Sequence, residues 1–244
     1  MLRIFRKSFQ TGVITTGYPE EKDFAPQGFR GLPEWQENSC LKCGKCAEKC
    51  PTGAIKLNDT GETKLNDLAG YWSIDPKKCI FCGYCQDACA GGAVSLGTTY
   101  ELTEKVCREK ISKIFGGSVH IRHLDSGSCN ACDWEMGALT GPVYDIQRLG
   151  FNFAASPRHA DILMVTGVVT RNLEIAVRKT FKAAPAPKLV VAVGTCACSG
   201  GICGKSYASS GGVNNILPVD VYIPGCPPRP QALIHGLMSA VDRL

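Results

Sequence analysis

The sequence has no long hydrophobic run. None of its apolar stretches approaches the ~18 residues that a membrane-spanning helix needs. Residues 1–10 are basic and mixed, and they contain neither the apolar segment nor the small-residue cleavage site of a secretory signal. These features predict a cytoplasmic chain without a membrane span of its own.

Motifs for nucleotide binding and for nucleophilic catalysis are missing as well. No G-x-G-x-x-G follows a predicted strand, and no Walker A motif occurs, so we predict neither a nucleotide nor a flavin site. No nucleophile is accompanied by a general base at a recognisable spacing. The chain by itself is therefore predicted not to be catalytic.

Cysteine, in contrast, is abundant. The 244 residues include 15 cysteines, and dense cysteine in a cytoplasmic chain indicates metal binding rather than disulfides. Composition divides the chain into an N-terminal arm (1–35), a cysteine-rich domain (36–105) and a third domain (106–244). A polar, partly helical linker is predicted around residues 98–115.

The cysteine-rich domain contains an internal repeat. Each half reads C-x2-C-x2-C-x3-C, and each cysteine recurs 39 residues later. The first half contains Cys40, Cys43, Cys46 and Cys50, and the second contains Cys79, Cys82, Cys85 and Cys89. The repeat predicts two similar halves related by a pseudo-twofold axis.

This spacing is typical of two crossed [4Fe-4S] clusters. Three close thiolates wrap one cubane, and the fourth cysteine reaches the other. Separated C-x2-C pairs, the usual pattern for zinc, do not describe it. The predicted ligands are Cys40, Cys43, Cys46 and Cys89 for cluster 1, and Cys79, Cys82, Cys85 and Cys50 for cluster 2. The pattern resembles that of bacterial two-cluster ferredoxins over residues 36–97.

The third domain alternates strand-like and helix-like segments. This alternation predicts a doubly wound parallel sheet of about four strands. The predicted strands are 118–124, 161–166, 188–193 and 220–223, and the predicted helices are 134–149 (interrupted at Gly141-Pro142), 171–183 and 230–244. The fold class is thus an α+β ferredoxin-like domain followed by an α/β flavodoxin-like domain.

Cysteines follow three of the predicted strands. Cys129 and Cys132 come after the first, Cys196 after the third and Cys226 after the last. The carboxyl ends of parallel strands meet at one edge of a sheet, where open α/β sheets bind ligands. A third cluster is therefore predicted at this edge, although spacing alone does not decide between Cys196 and Cys198.

Four separate motifs in this domain resemble one family. It is the small subunit of membrane-bound, complex-I-like [NiFe] hydrogenases, including the formate hydrogenlyase type, and it is homologous to the complex I subunit with the terminal cluster. The motifs are SCNACDWE (128–135), SPRHAD (156–161), GTCACSGG (194–201) and PGCPPRP (224–230).

The resemblance implies a set of ligands for the proximal [4Fe-4S] cluster. They are Cys129, Cys132, Cys196 and Cys226. Cys107, Cys198 and Cys203 are then ordinary thiols. Complex I members of this family have two adjacent cysteines where this chain has Cys129 and Cys132, so the C-x2-C spacing favours the hydrogenases.

The N-terminal part resembles a second subunit of the same enzymes. TGVITTGYP (11–19) and FRG (29–31) are similar to the start of their two-cluster ferredoxin-like subunit. In those families the two parts are usually separate chains, whereas here they form one.

Other polar and aromatic residues have two interpretations each. Glu135 is either a proton-path or interface carboxylate or an ordinary helix-face residue, and Arg158 and His159 either act electrostatically on the cluster or form a solvated turn. The remaining histidines are predicted to be structural or surface residues: His120, His123 and His235. Trp134 and Met136 are predicted to pack rather than to relay electrons.

The charge of the chain depends on its clusters. The formal net charge of +5 counts every cysteine as neutral. Three cubanes with about −2 each would bring the loaded chain to about −1. Lysine and arginine also form no run of like charge, so we predict no nucleic-acid partner.

These observations predict an electron-transfer subunit with three [4Fe-4S] clusters in a multi-subunit [NiFe] hydrogenase. The resemblance implies a Ni–Fe large subunit, membrane-arm subunits on whose cytoplasmic side the chain docks, and a donor or acceptor such as ferredoxin or a formate or CO dehydrogenase module. One alternative is the same relay in a nickel-free complex-I-like oxidoreductase. The other is a free-standing ferredoxin-type carrier.

Overall fold

The computed structural model describes residues 2–57, 71–106 and 117–243. None of the helices in these ranges is long and apolar enough to cross a membrane. The arm and the cysteine-rich domain contain three helices and four short strands. They are α1 (Leu2–Thr11), β1 (Pro33–Trp35), α2 (Lys45–Glu48), β2 (Ile55–Leu57), β3 (Trp72–Ile74), α3 (Tyr84–Asp87) and β4 (Val94–Leu96).

The cysteine-rich domain has the predicted internal symmetry. Strand β1 pairs antiparallel with β4, and β2 pairs antiparallel with β3. Elements β1, α2 and β2 recur 39 residues later as β3, α3 and β4. The repeat in the sequence is thus also a repeat in the structure, which confirms the predicted ferredoxin-like halves.

The apolar core of this domain is small. Its fully buried members are Ile55, Cys85 and Val94, while Trp35 and Trp72 stack with their ring centroids 6.2 Å apart. Several other cysteines are partly buried against the same cluster. Sulfur atoms therefore occupy much of the interior where a larger domain would place aliphatic side chains.

The remaining elements form the third domain. In chain order they are β5 (Glu104–Lys105), β6 (Val119–Asp125), α4 (Ala131–Ala138), β7 (Phe151–Phe153), β8 (Ile162–Thr166), α5 (Arg171–Ala183), β9 (Leu189–Val193), α6 (Gly194–Ser199), β10 (Val221–Ile223) and α7 (Pro230–Ala240).

The sheet of this domain has six strands in the order β5-β10-β9-β8-β6-β7. Every pairing is parallel except that of β5 with β10. The predicted number of about four was wrong because β5 and β7, only two and three residues long, were missed. Both are edge strands, which are too short to show a periodic pattern.

Helices cover both faces of this sheet. Residues of α4 and α7 belong to one apolar core cluster, and residues of α5 and α6 belong to the other. All residues of β8 and β9 are buried. This arrangement confirms the predicted doubly wound α/β fold, in which central parallel strands are covered on both sides.

Several predicted boundaries need correction. The helix predicted over residues 134–149 is a shorter helix, α4, and a separate 3₁₀ turn at Ile146–Leu149. Helix α7 ends at Ala240 rather than at the end of the chain. Helix α1 was not predicted. Of the proposed linker, residues 107–115 lie outside the described residues.

The arm packs across both domains. Thr16 N donates to Val143 O at 2.8 Å, whereas Arg30 Nη1 donates to Cys82 O and Gly31 N donates to Gly97 O. The arm therefore joins the cysteine-rich domain to the α/β domain. The sequence-based division at residues 35 and 105 stays a proposal, and β5, which precedes the second boundary, pairs with the α/β sheet.

Tyr18 is the anchor of the arm. Its side chain is 2% exposed, lies in the apolar core of the α/β domain and donates a hydrogen bond to Glu101 Oε1 at 2.8 Å. We expect Tyr18→Ala to cost about 3–5 kcal/mol of stability, because truncating a buried aromatic ring leaves a cavity. The expected observation is a lower melting temperature of the anaerobically purified protein.

Tyr18→Phe is the matched control. It keeps the ring and removes only the hydrogen bond, so it should cost about 1 kcal/mol. Equal melting temperatures for Tyr18→Ala and the unmodified chain would show that the arm is not anchored at this position.

Candidate iron–sulfur sites

The cysteines predicted for cluster 1 surround one cavity. Its walls include the side chains of Trp35, Leu57 and Trp72. All four predicted thiols line it: Cys40, Cys43, Cys46 and Cys89. The fourth, Cys89, comes from the other half of the repeat, as the crossed pattern requires.

The cysteines predicted for cluster 2 line a second cavity. Apolar side chains such as Ile55, Ile74 and Ile80 complete its walls. The four thiols are Cys50, Cys79, Cys82 and Cys85. The tertiary structure therefore brings together both predicted sets, each with three cysteines from one half and one from the other.

Backbone N–H groups point at sulfur in both halves. Their positions are related by the 39-residue repeat, and their N···S distances agree within each pair. Lys42 N donates to Cys40 Sγ and Phe81 N to Cys79 Sγ at 3.4 Å, while Ala54 N donates to Cys50 Sγ and Ala93 N to Cys89 Sγ at 3.2 Å. Such bonds stabilise a thiolate, and around an iron–sulfur cluster they tune its potential.

The loops need unusual backbone conformations to place these N–H groups. Lys42 and Phe81, at equivalent positions, have φ of 52° and 56°, and the glycines that begin α2 and α3 have φ of 72° and 86°. Non-glycine residues rarely adopt positive φ, so the same strained turn in both halves indicates a shared local requirement.

Burial makes several of these thiols hard to ionise. Together with the smaller effect of nearby cysteine thiols, it raises the pKa of Cys79 to about 12 and that of Cys85 to about 11. Cys50 differs, because N–H bonds from Ile55, Ala54 and Thr52 outweigh its burial and lower its pKa. Thiolates in these cavities need bound cations to compensate their charge.

Both thiol sets have an arrangement that suits a cubane. Four thiols line each cavity, three from one half of the repeat and one from the other. A [4Fe-4S] cubane requires this arrangement, because each thiolate binds a different iron.

The third set of cysteines meets at the carboxyl edge of the six-stranded sheet. Cys129 lies in the loop after β6, Cys132 lies in the first turn of α4, Cys196 lies in α6 directly after β9, and Cys226 follows β10. The thiols of Cys196, Cys226 and Cys129 lie close enough to that of Cys132 to raise its pKa, which burial already raises strongly. The structure thus brings together the four residues that the resemblance implied.

Burial also raises the pKa of two other thiols in this set, Cys196 and Cys226. That of Cys196 reaches about 11, and Cys226 shifts in the same direction. Cys82 of the second set is among the neighbours that raise the pKa of Cys226. The second and third sets are therefore adjacent.

Gly194 makes room for this site. Its φ is +82°, and a Cβ at this position would lie 2.5 Å from Cys132 Sγ. Both conditions exclude an ordinary side chain, since positive φ is costly and the contact would displace the sulfur.

Two of the remaining cysteines are described, and their surroundings differ. Cys198 is buried in the apolar core that contains residues of α5 and α6 and donates to Ala192 O at 3.5 Å, and burial and the nearby Cys132 thiol raise its pKa. Cys203 is exposed and near enough to Cys196 to influence its pKa. Cys107 lies outside the described residues.

A hydrogen-bond network stands next to the third set. Asp133 Oδ1 lies 3.0 Å from His123 Nε2 and accepts from Thr166 Oγ1 at 2.9 Å, while Ser128 donates to Asp133 Oδ2. Burial lowers the pKa of His123. The network holds the loop between Cys129 and Cys132, and it agrees with a structural role for His123. Thr166 was not singled out in the sequence, because a threonine within a buried strand carries no functional signal.

The other residues considered in the sequence have varied surroundings. Burial raises the pKa of Glu135, and Arg229 opposes that shift. Met136 is buried as predicted, but Trp134 is 79% exposed, so its predicted packing role within this chain was wrong. Arg158 and His159 lie exposed in a 3₁₀ turn, and their electrostatic role stays a prediction.

The last two histidines have hydrogen-bonding or ionic neighbours away from the thiols. His120 Nδ1 is 3.5 Å from Asp161 Oδ2, and His235 Nδ1 is 3.0 Å from Thr103 Oγ1. Burial lowers the pKa of His235. These contacts agree with the structural or surface roles predicted for both residues.

The fold and the thiol sets together define an iron–sulfur protein of the oxidoreductase class. Residues 39–93 match the family of 4Fe-4S dicluster domains, and residues 129–240 match the family "NADH ubiquinone oxidoreductase, 20 Kd subunit". The α/β half of the chain belongs to this second family.

Curated relatives agree with this membership. The chain is 43% identical to the probable membrane-bound hydrogenase subunit mbhJ of Pyrococcus furiosus, over 55% of this chain and 81% of that protein. It is 43% identical to formate hydrogenlyase subunit 7 of Escherichia coli, over 52% of this chain and 50% of that protein. It is 49% identical to a subunit of the NADH-quinone oxidoreductase of Clostridium beijerinckii, over 46% of this chain and 68% of that protein.

The proposed third site predicts different outcomes for two cysteines. Cys226→Ser should reduce the iron content from about twelve to about eight atoms per chain, since one cubane is lost and the pair in the other domain remains. Cys198→Ser should leave all the iron in place, because its thiol faces the core. The measurement is iron and acid-labile sulfide, with EPR spectra of the reduced proteins, after anaerobic purification.

Cys196→Ser separates the two neighbouring thiols of α6. It should behave like Cys226→Ser. If Cys198→Ser lost the cluster and Cys196→Ser kept it, the assignment of the fourth ligand would have to be exchanged.

Gly194 allows a test that leaves every cysteine unchanged. Gly194→Ala should lower the occupancy of the third site and spare the dicluster domain, because the added methyl group would displace the sulfur of Cys132. Gly137→Ala in α4 is the control, since a Cβ there meets nothing within 4 Å. Full iron content in Gly194→Ala would show that the site tolerates the contact.

Proposed function

We propose that this chain is the electron-transfer subunit of a membrane-associated [NiFe] hydrogenase. It relays electrons to or from a separate Ni–Fe large subunit, at which protons are reduced or hydrogen is oxidised. The observation that carries the proposal is the adjacency, in one chain, of a ferredoxin-type pair of thiol sets and a third set at the edge of an α/β sheet. The relatives in hydrogenase complexes support the same role.

Three [4Fe-4S] clusters are the proposed cofactors. The ligands are Cys40, Cys43, Cys46 and Cys89 for cluster 1, Cys79, Cys82, Cys85 and Cys50 for cluster 2, and Cys129, Cys132, Cys196 and Cys226 for the proximal cluster. When bound, each cluster accepts and releases one electron at a time. The residues of the chain hold the sulfurs, exclude water and supply N–H donors to the thiolates.

The positions of the thiol sets suggest an order. Cys82 of the second set influences the pKa of Cys226, and the two residues line a common groove. The first set, in contrast, has Cys43 exposed, and Cys46 is influenced by Cys89 of its own set. An external donor or acceptor would therefore meet the first set, and the third set would face the large subunit.

The surface around the third set suits a partner. Cys129 and Cys226 are exposed, which is unusual for thiols that would hold a cluster. Trp134, in the helix that follows Cys129, is 79% exposed and lines an open groove with Asn130 and Asp133. Exposed tryptophan is a frequent anchor of protein interfaces. We assign this face to the large subunit.

The other proposed partners are those that the family resemblance implies. Membrane-arm subunits would hold the chain on the cytoplasmic side of the membrane, and a ferredoxin or a formate or CO dehydrogenase module would exchange electrons with it. The chain alone is not expected to be catalytic, because the clusters that its thiols would hold transfer electrons and bind no substrate. No nucleic-acid partner is proposed.

The nickel-free alternative also has support. The identity to a component of NADH-quinone oxidoreductase, 49%, is as high as that to the hydrogenase subunits. The C-x2-C spacing of Cys129 and Cys132 favours the hydrogenase over this alternative. A free-standing carrier is disfavoured, since it has no need of an α/β domain with an exposed third set.

Purification of the intact complex tests the choice of partner. We expect nickel in the complex and hydrogen evolution with a reduced viologen as electron donor. The control is the same complex carrying Cys226→Ser, which should retain nickel and lose viologen-driven evolution, because the route to the large subunit is interrupted.

Two results would contradict the proposal in different ways. A complex with full iron content but without nickel or hydrogen evolution would support the nickel-free alternative. A chain that elutes as a monomer from gel filtration of native lysate would support the free-standing carrier.

A further inference from the structure

The buried hydroxyl group of Thr195 connects the two domains at a point between the second and third thiol sets. Thr195 lies at the start of α6 with its side chain 1% exposed. Its Oγ1 donates to Cys79 O in the cysteine-rich domain at 2.7 Å and lies 3.2 Å from Gly225 O. Thr195 N donates to the same Gly225 carbonyl at 2.9 Å.

The hydrogen-bond partners of this hydroxyl belong to predicted cluster ligands or to residues next to them. Cys79 belongs to the second thiol set. Thr195 directly precedes Cys196, and Gly225 directly precedes Cys226, both of the third set. The side chain of Thr195 therefore contacts the backbone of the second set. Its own backbone is directly bonded to that of Cys196, a member of the third set.

Local geometry leaves the hydroxyl little freedom. The bond from Thr195 N to Gly225 O ties the first turn of α6 to the loop after β10, and Gly194 provides the turn that leads into it. A β-branched side chain on this backbone has few allowed rotamers. The hydroxyl is therefore held where it donates to the carbonyl of Cys79. A buried carbonyl without a donor would cost stability.

We propose that Thr195 is the positioning residue for electron transfer between the ferredoxin pair and the proximal cluster. The inference rests on the ligand sets of the proposed function. Thr195 fixes the distance between the two domains at their closest thiol sets, and its hydrogen bond provides a bonded route from the Cys79 carbonyl to the backbone of Cys196. Electron tunnelling is faster through such a route than across a gap.

The transfer step involves the movement of a single electron. With the clusters bound, one electron would leave a reduced cluster in the cysteine-rich domain and enter the oxidised proximal cluster. No covalent bond forms or breaks, and the proton of the Thr195 hydroxyl stays on its oxygen. The electron comes from the external donor, which in the experiment is a photoreduced flavin.

Ser199 offers a matched control at the same seam. It lies on the same helix, and its Oγ donates to Lys77 O in the cysteine-rich domain at 2.8 Å and lies 3.1 Å from Thr195 O within the helix. The contact resembles that of Thr195 in type, length and the pair of domains it joins. It differs in that neither Ser199 nor Lys77 is a predicted ligand or adjacent to one.

The test uses the full chain in its anaerobically purified complex. After a light pulse in the presence of the flavin, freeze-quench EPR follows the electron from the ferredoxin pair to the proximal cluster. We expect Thr195→Val, which keeps the shape and loses the hydroxyl, to slow this transfer severalfold. Thr195→Ser should restore the rate, and Ser199→Ala should transfer at nearly the original rate.

Iron content and EPR at full reduction are measured on every variant. If the unmodified chain lacked the proximal cluster, the proposed function would fail, and Thr195 would have no role to test. If Thr195→Val lost iron, Thr195→Ala, which is smaller and cannot clash, would provide the comparison with Thr195→Ser.

Two results would overturn the inference while leaving the proposed function intact. One is an unchanged transfer rate in fully loaded Thr195→Val or Thr195→Ala. The other is an equal slowing in Ser199→Ala, because the rate would then depend on closure of the seam in general and not on the bond at Cys79.

Discussion

Buried thiolates repel one another and lose their hydration, and this cost constrains the whole molecule. Burial raises the pKa of Cys79, Cys85, Cys132 and Cys196, so none of these thiols ionises readily by itself. Bound iron compensates the charge, and the fold must then hold the sulfurs at the spacing of a cubane. In the cysteine-rich domain, whose apolar core is small, the crossed sets of thiols also join the two halves.

The α/β domain meets the same constraint by different means. Its extensive core consists mainly of aliphatic side chains and includes Cys132 of the third set, whose other members lie at the carboxyl edge of the sheet. The cysteines arrive there from separate strand ends, and Gly194 keeps a side chain away from Cys132. The arm and the contact of Thr195 with Cys79 then hold this edge against the cysteine-rich domain, so the second and third thiol sets lie next to each other.

Local patterns predicted much of this architecture. The repeat of 39 residues gave the crossed thiol sets because their ligation depends on short loops, which are encoded by neighbouring residues. Long apolar runs predicted β8 and β9, and Arg171–Ala183 is helical over its full predicted range. The short edge strands β5 and β7 were missed, since pairing with a neighbour rather than their own composition makes them strands. The exposure of Trp134 was missed for a related reason, because an apolar residue on a helix is usually buried.

The sequence by itself therefore determined which cysteines share a loop and at which strand ends the others lie. Only the tertiary structure distinguished Cys196, whose thiol lies near those of Cys226 and Cys129, from Cys198, which lies in the apolar core. Positions two apart on a helix point to opposite sides, and α6 begins directly at the end of β9, where the sequence does not reveal a helix. Tertiary structure also decided that Thr195 meets the carbonyl of Cys79. These residues are 116 positions apart, and their contact depends on how two domains dock, which no local period encodes.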